Sequence, residues 1–136
     1  MRITWVLDTN VIVSGILTPY GQPGRLVDAV LEGTLRLTVD DRILVEYRQV
    51  LSRPKFCLAA ERLEALMALF ARQDLIVPEP LIVDLPDPDD LPVLEAARFA
   101  TDRVLVTGNI RHYPGARHHG IILLTPAQAW LKFVEV

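Results

Sequence analysis

Five short runs, rich in β-branched residues and without regular polar alternation, limit this chain's architecture more than any other feature. They fall at 3-7 (Ile-Thr-Trp-Val-Leu), 35-39, 75-77, 103-106 (Arg-Val-Leu-Val) and 121-124. A strand of this kind is covered on both faces, as in a parallel sheet. Between the runs lie helical patterns at roughly 10-17, 23-32, 41-52, 59-72, 91-100 and 126-133. Strands alternating with helices imply right-handed crossovers, and hence a parallel sheet between two helical layers.

The punctuation agrees with these boundaries. Pro23 opens a helix, Asp41 caps one, Gly33 closes one, and Pro126 after Thr125 suits a first helical turn. Pro54 breaks the helix containing Glu46, and the proline-rich stretch 77-90 reads as an extended loop. With 136 residues, 51% of them hydrophobic, the chain can bury a core without disulfides, and we expect a single domain over 1-136. No stretch approaches the roughly 20 apolar residues of a membrane span, and the first apolar run is too short for a signal peptide. We therefore expect a cytoplasmic protein with no membrane association. Cys57, the single cysteine, excludes an internal disulfide and reads as a small buried thiol. A net charge of -3 argues against coating nucleic acid through bulk positive charge. It leaves room for a nuclease, because a site for divalent metal must itself be acidic.

Open parallel sheets bind ligands beyond the carboxyl ends of their strands. Two strand-like runs end there in polar residues: Leu7-Asp8-Thr9-Asn10 and Val106-Thr107-Gly108-Asn109. Asp8 could simply cap the following helix, but Asn10 could do so alone, leaving the Asp8 carboxylate in need of a partner. Glu46 stands beside Ile43, Tyr47 and Val50, so it flanks an apolar stripe; the alternative is an exposed Glu paired with Arg42 or Arg53. Asp87-Pro88-Asp89-Asp90 places three acids before a helix, where Asp90 alone would suffice as a cap. Two carboxylates about 5 Å apart repel by roughly 3 kcal/mol at an effective dielectric of about 20, so such a cluster calls for a cation. All-oxygen ligands point to Mg2+ or Mn2+. His112, His118 and His119 share a loop with Arg111 and Arg117 and read chiefly as solvated groups, with a metal or general-base role as the alternative. Trp5, Trp130 and Phe133 read as core or interface aromatics, and 61-64 as the wet face of an amphipathic helix.

Taken in order, Val6-Leu7-Asp8-Thr9-Asn10, the helical Glu46, Asp87-Pro88-Asp89-Asp90 and Val106-Thr107-Gly108 resemble the PIN-domain family, and more closely its branch of toxins from toxin-antitoxin pairs. The resemblance runs from Ile3 to the last strand. It implies a three-layer α/β/α sandwich with a central parallel sheet of about five strands, a negatively charged pocket, and metal-dependent cleavage of RNA. By the same resemblance Asp8, Glu46 and Asp90 are the catalytic, metal-binding acids, while Thr107 and Asn10 support them. Asn109 stands where the family often carries a fourth acid, so it is at most a weak ligand, and the second metal is in question. Arg48, Arg53, Lys55 and Arg111 are candidates to hold RNA phosphates at the rim. The resemblance also implies a homodimer and a small antitoxin partner. An alternative is a catalytically weak or inactive PIN-like module that binds RNA or a protein, for which Asn109 is the best support. A phosphotransferase with Asp8 as nucleophile is a third class, but Asn10 occupies the place where such enzymes need a second acid.

Overall fold

The computed structural model describes residues 3–135. Strands β1 (Ile3–Leu7), β2 (Leu35–Val39), β3 (Asp74–Leu75), β4 (Val104–Val106) and β5 (Ile122–Leu124) form one sheet in the order β3-β2-β1-β4-β5, every pair parallel. Helices α1 (Thr9–Leu17), α2 (Gln22–Glu32), α3 (Asp41–Leu51), α4 (Ala60–Phe70), α5 (Leu91–Phe99) and α6 (Pro126–Val134) complete a three-layer α/β/α sandwich. Helix α2 packs on β2 and α6, whereas α5 packs on β1, β2 and β4. Both sides of the central strands are thereby covered. That is why Trp5, Val6, Leu7, Leu35, Leu37, Val39 and Val104 through Val106 are all buried, as their apolar runs require.

Differences from the sequence reading are local. Strand β3 shrinks to two residues at the sheet edge, just before Pro78 and Pro80; prolines cannot donate to a ladder, although the Ile76 amide still reaches the Val39 carbonyl at 2.9 Å. Arg103 falls outside β4 because it turns through a left-handed conformation at φ 54°. Asp40, not Asp41, caps α3, accepting the Ile43 amide at 2.9 Å, while Asp41 lies in the first turn. Asp90 precedes α5 without a capping hydrogen bond from its side chain. Pro23, Gly33, Pro54 and Pro126 punctuate the helices where expected, with Gly33 at φ 83°. Among the described residues, no helix is long and apolar enough to cross a membrane.

Two close approaches fix α2 against α1 and against the turn between them. A Cβ on Gly24 would lie 2.1 Å from the Pro19 carbonyl oxygen, and one on Gly15 would lie 2.6 Å from the Pro23 carbonyl oxygen. The helix that starts at Asp8 is therefore held by backbone packing that no larger residue permits.

Candidate active site

The strand order reverses between β1 and β4, which opens a crevice beyond their carboxyl ends. Leu7 pairs with Val106 in register, and the Asp8 amide donates to the Val106 carbonyl at 2.9 Å, so Asp8 and Thr107 emerge side by side. Asp8 is buried, and its carboxylate is held by three donors. Oδ1 accepts the Thr9 amide at 2.8 Å; Oδ2 accepts the Thr107 hydroxyl at 2.8 Å and the Tyr113 hydroxyl at 2.7 Å. Of the two caps open from sequence, Asp8 is the one that caps α1. Asn10 instead accepts the Gly108 amide at 3.1 Å and ties α1 to the turn after β4. A carboxylate offers about four acceptor positions, so roughly one remains open on Asp8.

Glu46 reaches the same crevice from α3, its Oε2 accepting the Thr9 hydroxyl. Thr9 therefore joins the two acids, its amide on one and its hydroxyl on the other. Burial raises the Glu46 carboxyl above the usual range; the Thr9 hydrogen bond opposes this, and the charges of Asp8, Asp89 and Asp87 add to it. Asp90 approaches from the head of α5. Burial, then the charges of Asp8 and Asp87, push its carboxyl up to about 6, with His112 pulling the other way and Glu46 adding to the rise. Its Oδ2 is buried without a hydrogen bond, although His112 Nδ1 lies 3.0 Å away. Tyr113 is also driven upward, by burial, by the Asp8 charge and by its hydrogen bond to Asp8, so it remains a donor.

Among the described residues, no three His, Cys, Asp or Glu side chains close around a single point as a ready cage. A hard cation does not require one: Mg2+ keeps several waters and is held by one or two carboxylates. A buried carboxylate oxygen without a hydrogen bond, facing the charge of Asp8 and Glu46, suits such an ion. The donor set therefore fits a divalent metal.

Other residues singled out from sequence fall in several places. Thr107 is fully buried on Asp8 and also accepts the Asn109 amide at 3.1 Å; Asn109 is half-buried beside it. Arg48 pairs with Glu64 on α4, and Lys55 lies 5.1 Å from the Phe56 ring, while Arg53 and Arg111 are exposed. Arg42 takes Asp40 and Glu95 in place of the Glu46 considered from sequence. Cys57 is exposed rather than buried, because it ends a 3-10 turn in a left-handed conformation outside the core.

Sequence reasoning missed Thr9, Tyr113, the contact of His112 with Asp90, and a clamp beneath the acids. In that clamp Arg42 bridges Asp40 at 2.6 Å and Glu95 at 2.8 Å, both acids buried, and Glu95 Oε2 also accepts the Leu81 amide at 2.7 Å. The clamp joins α3, which carries Glu46, to α5, which follows Asp90. A signal was present: Asp40 ends a strand as Asp8 does, and Glu95 interrupts Val93-Leu94-Glu95-Ala96-Ala97.

A family model described as PIN domain matches residues 4–111. No curated protein matches the chain. PIN domains are generally nucleases and typically use divalent metal ions. The matched span covers most of the chain, from β1 to the turn after β4, and carries all three acids and Thr107 with it, so the chain belongs to the PIN-domain family.

Proposed function

We propose that the protein is a Mg2+- or Mn2+-dependent endoribonuclease that cleaves single-stranded RNA, with Asp8, Glu46 and Asp90 as its acidic centre. The observation that carries this reading is the buried Asp90 Oδ2, without a hydrogen bond, among the charges of Asp8, Asp87 and Glu46. A divalent ion bound there would supply Lewis acidity toward a phosphoryl oxygen and make water a better nucleophile. Asp8 and Asp90 would be its chief ligands, with Glu46 completing or orienting the set. The hydroxyls of Thr107 and Tyr113 and the Thr9 amide hold Asp8 in one orientation, and the Thr9 hydroxyl does the same for Glu46. Asn109 would contribute an amide oxygen at most. Arg111, exposed and next in sequence to His112, is a candidate to meet a phosphate.

Cleavage of a mixed single-stranded RNA pool by the full chain tests the reading. Products should form with millimolar Mg2+ or Mn2+ and vanish in EDTA; equal cleavage in EDTA would contradict it. A role as the toxin of a toxin-antitoxin pair is part of the same proposal. It expects a small neighbouring gene for an antitoxin and a homodimer in solution, which a mass measurement at high micromolar concentration checks.

A further inference from the structure

The turn after β4 places His112 against the acidic centre in a way hydrogen bonding does not explain. His112 Nδ1 stands 3.0 Å from Asp90 Oδ2, yet that buried oxygen has no aligned hydrogen bond. A protonated imidazole would make this contact an ion pair, whereas a neutral one with its lone pair toward Oδ2 leaves two acceptors face to face, an arrangement that calls for a cation between them. Ligands about 2.1 Å from an octahedral ion and 90° apart are themselves about 3.0 Å apart. The spacing of nitrogen and oxygen is thus that of one edge of a coordination octahedron.

The backbone keeps the imidazole there. The His112 amide donates to the Asn109 carbonyl at 3.1 Å, and the next residue, Tyr113, is anchored by its hydroxyl on Asp8 at 2.7 Å. The His112 side chain is 41% exposed, against 15% for Asp90, so the ring reaches solvent while its Nδ1 faces the more buried Asp90 oxygen.

We propose that His112 Nδ1 and Asp90 Oδ2 form a nitrogen-oxygen edge for the divalent cation, and that this edge makes the site prefer Mn2+ to Mg2+. The proposal rests on the metal-dependent reading above and adds a ligand to it. Imidazole favours transition-metal ions, whereas Mg2+ gains little over water from a nitrogen ligand. His118 and His119, further along the loop, serve as controls.

The test uses the metals alone. Mn2+ and Mg2+ are titrated calorimetrically into the unmutated chain, His112→Gln and His118→Gln, and pulsed electron paramagnetic resonance is recorded on the Mn2+ forms. We expect nitrogen hyperfine coupling in the unmutated protein and in His118→Gln, and its loss in His112→Gln. Mn2+ affinity should fall roughly tenfold in His112→Gln, and Mg2+ affinity less than about threefold. Mn2+ binding without nitrogen coupling, a measurement that needs no substitution, would overturn the His112 ligand and leave the metal-dependent reading intact. Unchanged Mn2+ affinity in a folded His112→Gln would do the same. Failure of the unmutated chain to bind either ion would overturn both.

Discussion

Half-buried at the head of α5, Asp90 carries an oxygen that no hydrogen bond satisfies, while Asp8 and Asp87 add negative charge to the cost of burial. Its carboxyl titrates near 6 when folded and near 3.9 when unfolded. Between about pH 4 and 6 the folded chain therefore keeps a proton that the unfolded chain has released. This group's contribution to stability is greatest below that window and is lost as pH rises through it. In EDTA, Asp90→Asn should raise the melting temperature at pH 7.5 and flatten its decline between pH 4 and 6; equal pH profiles would count against the buried charge. Asn109, whose backbone N–H donates to the Thr107 hydroxyl that holds Asp8, bears through its side chain on the number of ions. An amide oxygen lacks the charge that steadies a second divalent ion beside the first. Asn109→Asp should therefore tighten Mn2+ binding in calorimetry without lowering cleavage. Loss of activity in a folded variant would give Asn109 a separate role.

Element boundaries were legible because hydrophobic period and punctuation agree along most of the chain. Where they failed, the cause was local or tertiary: β3 is cut short by its place at the edge before two prolines, and of two adjacent aspartates the cap of α3 is Asp40, because Asp41 is already in the first helical turn. The clamp between α3 and α5 was not read at all, since pairing Arg42 with Glu95 requires knowing that these helices meet. Replacing Arg42 by Ala would leave Asp40 and Glu95 buried without their cation, each with one backbone amide as donor. Breaking such a pair costs about 3–5 kcal/mol, and because Arg42 is itself half-exposed we expect about 3 in urea unfolding. A cost below about 1 kcal/mol would mean that water already satisfies both acids. Gly24→Ala should cost about 1–3 kcal/mol by the same measurement, because the added carbon meets the Pro19 backbone. Neutral behaviour would mean that the turn at Pro19 yields readily.

At the scale of the molecule, one reversal of strand order brings Asp8 beside Thr107 and Tyr113, residues 99 and 105 positions away in the chain. The acids and Thr107 could be found from sequence because each stands at an end or on a stripe of a regular element. Tyr113, and which of the three loop histidines meets Asp90, could not, because they lie in an irregular loop whose path no periodicity describes, and Thr9 was hidden by reading it as part of a capping sequence. The central claim is that Asp8 and Asp90 form a metal-dependent centre for cutting RNA. It is tested most directly by cleavage of labelled single-stranded RNA in Mn2+ by the unmutated chain, Asp8→Asn and Asp90→Asn, each shown to be folded by circular dichroism. The expected result is cleavage by the unmutated chain and none by either variant; full cleavage by both folded variants would remove these carboxylates from the reaction.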